Sequence, residues 1–142
     1  MQVIVIDSQG GGIGRQLITR LKQEQLNIDI IALGTNAIAA NNMLKAGSDG
    51  SATGENAILY NCSKASDTDI IIGPIGILIA NSMLGEISPA MAGAVSASDA
   101  RKLLIPFSQC SASVIGTAPK PLSEYIEDAV SEIKEALMSS SV

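Results

Sequence analysis

Val3-Ile4-Val5-Ile6 runs without a polar side chain toward Gly10-Gly11-Gly12-Ile13-Gly14, and this junction limits the possible folds more than any other feature of the chain. An uninterrupted β-branched run reads as a strand buried on both faces. Four glycines in five positions then break it. Beyond the break, Ile13, Leu17, Ile18 and Leu21 recur at helical spacing, with Arg15, Gln16, Arg20 and Lys22 on the opposite face. A strand that turns into an amphipathic helix through glycine is the opening of a βαβ unit, so a parallel sheet is expected.

The rest of the chain repeats the alternation. Residues 28–33 read as a second strand closed by Gly34, and Asn36 is placed to cap a helix that stops at Gly47. A weak third strand over 50–53 precedes a helix over 54–64 with Ala57, Ile58 and Cys62 inward. Ile70-Ile71-Ile72 reads as a buried fourth strand. Two helical pieces are predicted next, over 77–84 and 89–97, the second with Ser88 as N-cap and Pro89 in its first turn. A fifth strand is expected over 103–106 and a short sixth over 113–116. Leu122, Ile126, Ala129, Val130, Ile133 and Leu137 form one stripe of a final helix, frayed from Ser139 onward. At 142 residues this is one domain, 1–142, of α/β class. It is expected to be a Rossmann-like three-layer sandwich with a mostly parallel sheet of five or six strands. Right-handed crossovers leave the orders 3-2-1-4-5 and 2-1-3-4-5. The glycine loop directly after strand one favours 3-2-1-4-5.

Composition narrows the function classes. Tyr60, Phe107 and Tyr125 are the only aromatic residues, so the core is aliphatic and no ladder exists for stacking single-stranded bases. Nine basic against fourteen acidic side chains, with no Lys/Arg cluster, argue against nucleic acid as a partner. Histidine is absent, which removes His-based triads and most catalytic zinc sites, and no metal site is expected. Cys62 and Cys110 read as small buried hydrophobes of a reducing compartment. The longest apolar stretch, 70–80, is far shorter than the ~20 residues that span a bilayer. With no secretory leader before the first strand, a cytoplasmic protein without a membrane partner is expected. Mean hydropathy is +0.33 with 16% charged residues, and 75–84 and 90–100 are rich in apolar side chains. From these we expect self-association, as a symmetric dimer.

The loop is where chemistry is expected. A strand-to-helix turn aims free backbone N–H groups and the helix dipole at one point, and glycine lets a phosphate approach the backbone. The candidate binding residues are therefore Gly10, Gly11, Gly12, Ile13 and Gly14. Gly34, Gly73, Pro74 and Gly76 fall at the carboxyl ends of other strands, the edge where ligands bind in open α/β sheets. Thr35 and Asn36 follow strand two, where a ribose is held in dinucleotide folds. The ligand expected is a small phosphorylated one, an adenine nucleotide or dinucleotide among the candidates. Asp7 is read as a cap of the loop rather than a Mg²⁺ ligand. No catalytic residue is assigned; an enzyme would have to draw on Asp7, Glu55, Asn56 or Glu86. Cys110 has no His or flanking cation to activate it.

Gly12-Ile13-Gly14-Arg15 is similar to the loop of short-chain dehydrogenases, although Ser8 stands where their first glycine does. The loop also resembles the deviant Walker loop of partition ATPases. Gly10 stands where their signature lysine would be, and Arg15-Gln16 where their Lys-Ser/Thr would be, which argues against NTP hydrolysis. Tyr60-Asn61-Cys62-Ser63-Lys64 matches the Tyr-x-x-x-Lys dyad of the dehydrogenases, but on the wrong helix. Over nearly its full length the chain resembles a family of small uncharacterised bacterial proteins carried as a domain of unknown function. The blocks behind this are Val5-Ile6-Asp7, Gln9 to Gly14, Gly34-Thr35-Asn36, Ala52 to Ala57, Ile72 to Gly76 and Leu84 to Ile87. That resemblance implies no activity. A nucleotide-binding regulatory or accessory module is the preferred function, ahead of a small enzyme acting on a nucleotide or phosphorylated metabolite and of a purely structural or protein-binding domain.

Overall fold

Val3, Ile4, Val5 and Ile6 are all wholly inaccessible to solvent, which requires a covering layer on each side of their strand, β1 (Gln2–Asp7). The computed structural model, which describes residues 1–107 and 111–140, provides both layers. β1 lies at the centre of a five-stranded sheet with β2 (Asp29–Gly34), β3 (Gly50–Thr53), β4 (Ile70–Pro74) and β5 (Arg101–Ile105). The order is β3-β2-β1-β4-β5, and every pair is parallel. This is the α/β Rossmann-like sandwich, with the strand order, that the sequence predicts.

The pleat of β1 divides the core in two. Val3 and Val5 point to the side covered by α1 (Gly12–Gln23), α2 (Ala37–Lys45) and α5 (Leu122–Ser140), against Leu17, Leu21, Met43, Ile126 and Ile133. Ile4 and Ile6 point to the side covered by α3 (Glu55–Lys64) and α4 (Pro89–Ala97), against Ile58, Cys62, Met91 and Val95. The expected caps are formed. Asn36 Oδ1 accepts the Ala39 N–H at 2.9 Å, and Ser88 Oγ accepts that of Met91 at 3.1 Å. Cys62 is buried, and its burial pushes the thiol up to about 11. No helix among the described residues is long and apolar enough to cross a membrane.

Three expectations are corrected. The helix over 77–84 does not form: a 3₁₀ turn, Ile75–Leu78, leads into a strap, residues 79–87, in which Asn81, Met83, Leu84 and Gly85 are all left-handed. Its apolar residues suggested a helix because Ile77, Met83 and Ile87 are all buried, but they reach the core from turns. The short strand over 113–116 is absent, and these residues are exposed, with a turn in which Thr117 N–H donates to Val114 O. The described sheet therefore has five strands. Finally, β5 begins at Arg101 rather than at residue 103, because Arg101 and Lys102 already pair with Ile70 and Ile71.

The apolar residues of 75–84 and 90–100, from which self-association was expected, largely serve the core beneath α3 and α4. Ile77, Met83, Met91, Ala92, Val95 and Ala100 are all buried there. Cys110 lies outside the described residues, as does the end of the chain beyond residue 140.

Candidate functional site

The turn from β1 into α1 is held by one carboxylate. Asp7 is buried, with Oδ1 accepting the Ser8 N–H and Oδ2 the Gly14 N–H, both at 2.8 Å. It is the loop cap expected from sequence. Burial pushes its carboxyl above the ordinary range, while the N–H bonds from Gly14, Ser8 and Ile13 pull the other way and the nearby Glu86 charge adds to the rise. Asp7→Asn sets an NH₂ group against a backbone N–H, so a loss of about 1–3 kcal/mol at neutral pH is expected by urea unfolding. The folded pKa lies above the unfolded one, so Asp7 contributes stability below the ordinary carboxyl pKa that is lost as pH rises through the raised one. The advantage of wild type over Asp7→Asn should accordingly grow as the pH is lowered through that window.

The four glycines of the loop have different reasons to be there. Gly11 is left-handed, with φ 70°, and a Cβ on it would lie 2.9 Å from the Ala39 carbonyl oxygen where the loop crosses α2. Gly14 is buried, and a Cβ there would collide with the Met43 side chain. Gly10 and Gly12 differ. Neither is left-handed, and a Cβ on either would meet no atom within 4 Å. Asn36 Nδ2 donates to Gln9 O at 3.0 Å and Asn42 Nδ2 to Gly10 O at 2.8 Å, so α2 and its cap hold the loop carbonyls. The N–H groups of Gly10 and Gly12 have no partner among the described residues.

Both glycines line a cavity of about 470 Å³ at the carboxyl edge of the sheet. Asp7, Ser8, Gln9 and Ile13 complete the loop side, and Pro74, Met83, Pro106 and Phe107 form the opposite side. Of the residues expected at the site, Gly10, Gly12, Ile13 and Pro74 are thus brought together. Gly34 and Gly73 serve packing: a Cβ on Gly34 would lie 2.5 Å from Ala40 N, and one on Gly73 would overlap the Ile6 carbonyl. Gly76 is buried, its carbonyl accepting from Ser82 Oγ at 2.5 Å.

Thr35 and Asn36 face Glu86. The Glu86 carboxylate accepts Thr35 Oγ1–H at 2.9 Å, Asn36 Nδ2–H at 2.8 Å and the Gln9 N–H at 3.1 Å. Glu55 accepts from Ser88 Oγ at 2.5 Å, and Asn56 is exposed outside the cavity lining. Tyr60 and Lys64 bond to each other on the surface of α3 at 3.0 Å.

Sequence reasoning passed over Ser8, Gln9, Met83, Pro106 and Phe107. A signal existed for Phe107, one of three aromatic residues, directly after a predicted strand on the ligand edge. Among the described residues no arginine or lysine lines the cavity; Arg15 faces a separate hollow between α1 and α5 with Thr19, Arg20 and Glu127. An anion in the cavity would be held by backbone N–H groups and the α1 dipole rather than by a cation.

The family model described as Domain of unknown function (DUF3842) matches residues 2–138. The chain belongs to this family. No curated protein and no solved structure matches it. The match takes in every element of the DUF3842 chain that borders the cavity, from β1 to Phe107.

Proposed function

We propose that this DUF3842 domain is a regulatory or accessory binding module for a small phosphorylated ligand, with a phosphate seated against the N–H groups of Gly10 and Gly12. One observation carries this reading: those two glycines have no conformational or packing reason to be glycine, and both border the cavity with an N–H that has no partner among the described residues. Gly11 and Gly14 carry no weight in it, since packing accounts for them. The cavity volume falls within the ~300–1,000 Å³ common for ligand pockets. Pro74 and Phe107 supply an apolar wall for a base or other flat group. A binding role is favoured over catalysis because Asp7 and Glu55 are each engaged in hydrogen bonds within the protein.

The test is a thermal-shift panel of pyrophosphate, AMP, ATP, NAD and sugar phosphates. Ligand at about 100 times its Kd stabilises the fold by about 2.7 kcal/mol. At this chain length that is a rise in Tm of roughly 8–10 °C. No shift with any of these compounds would leave the loop a structural turn.

A further inference from the structure

The strap, residues 79–87, is an unusual piece of backbone. Asn81, Met83 and Leu84 have φ of 64°, 54° and 57°, and Gly85 follows at 88°. Non-glycine residues persist in this region only when their surroundings hold them there. The two ends of the strap are pinned to each other, with Asn81 N–H donating to Ile87 O at 2.7 Å, and Ile87 is sunk in the core. The middle of the strap lies toward the loop. Met83 forms part of the cavity wall, with Ser8 Oγ–H directed at its sulfur, while Leu84 at the tip is 95% exposed.

Glu86 provides the charged contact between strap and loop. It draws hydrogen bonds from Gln9 of the loop, Thr35 at the end of β2 and Asn36 at the head of α2, all far away in sequence. One of these donors, the Gln9 N–H, belongs to the same loop as the N–H groups assigned to the ligand. The protein thus sets its own carboxylate on the edge of the seat proposed for a phosphate. Like charges in such proximity disfavour each other. Among the described residues, no side-chain cation lines the cavity to offset the repulsion.

We infer that Glu86 is the clasp of a strap that partly closes the cavity, and that an anion taking the loop displaces this clasp and frees residues 81–87. The inference rests on the phosphate-binding reading of the loop. It makes the empty and filled states differ in a definite way: with the cavity empty the strap is fastened by an internal anion, and with it filled the strap is released. A released strap would carry its exposed Leu84 away from the mouth of the cavity, giving an accessory module a ligand-dependent surface.

Amide hydrogen exchange on the full chain tests this, comparing wild type, Glu86→Gln and Glu86→Ala with and without pyrophosphate. The glutamine variant keeps the shape of the clasp, so it remains informative if the alanine variant folds poorly. Without pyrophosphate, the amides of Gln9, Asn81, Gly85 and Ile87 should exchange about tenfold faster in Glu86→Ala, and less so in Glu86→Gln, with β1 and β4 unchanged. Pyrophosphate should protect Gly10 and Gly12 in all three proteins. In wild type it should also speed exchange at 81–87 toward the rate of the alanine variant. Unchanged exchange at 81–87 in both variants would overturn the clasp. Protection of Gly10 and Gly12 without faster exchange at 81–87 in wild type would overturn displacement while sparing the phosphate site. Protection nowhere, in any of the three proteins, would remove the phosphate site and the displacement with it.

Discussion

Gly73→Ala is expected to cost on the order of 3 kcal/mol or more, at the upper end of what overpacking does to a core. Gly73 lies on β4 beside β1, and a Cβ there would overlap the Ile6 carbonyl oxygen and press on Ile77 Cδ1 at 3.2 Å. A flexible side chain could swing away, but the Ile6 carbonyl belongs to the central strand. β1 is registered to β2 through Ile6 and Leu33 and to β4 through Val5 and Ile72, so moving that oxygen disturbs two strand pairs together. Ile6 is wholly buried, which leaves no solvent side into which the backbone can bow. Gly93→Ala is the reference: Gly93 lies on the exposed face of α4 with nothing within 4 Å of its Cβ position, and a gain of about 0.5–1 kcal/mol is expected there. Urea unfolding of the two variants beside wild type measures both. A loss under about 1 kcal/mol for Gly73→Ala would mean that packing does not require this glycine, and would restore it as a candidate for ligand approach.

That contrast marks the limit of what the sequence could say about the site. The aliphatic runs at 3–6 and 70–72 can only be central parallel strands, and the glycine loop after the first of them orients the sheet, so the strand order was legible. The reason for each glycine was not. Gly11, Gly12 and Gly14 look alike in sequence, yet Gly11 is fixed by Ala39, Gly14 by Met43 and Gly12 by nothing within 4 Å. These neighbours sit on another helix, and their positions emerge only when α2 packs on the loop. The strap was hidden for a different reason. Met83 and Leu84 give no local sign of a left-handed conformation, and their apolar character imitates a helix. Glu86 was recognised as lying near the ligand edge, but its partners come from three separate elements, which no local pattern can reveal.

Gly12→Val should weaken anion binding about a hundredfold while leaving the fold almost untouched. Gly12 opens α1 as its first residue, is exposed, and is not left-handed; the left-handed positions of the loop are Gln9 and Gly11. A Cβ at Gly12 meets no atom within 4 Å and no forbidden φ, and stability should change by less than about 0.5 kcal/mol, as at other open surface positions. A ligand would meet it directly. The new methyl groups would project from the backbone that the phosphate must approach and keep it beyond hydrogen-bond reach of the Gly12 N–H. Loss of one charge-assisted bond together with steric exclusion should weaken binding by about a hundredfold, or roughly 2.7 kcal/mol. Calorimetric titration with whichever probe gives the largest thermal shift measures the affinity, urea unfolding measures the stability, and Gly93→Ala serves as the binding control because it lies on α4, outside the cavity lining. Two results would sink the assignment. Equal affinity of wild type and Gly12→Val would place the site elsewhere. A stability loss of about 1–3 kcal/mol with unchanged affinity would show that Gly12 is a turn residue whose backbone cannot accept a side chain.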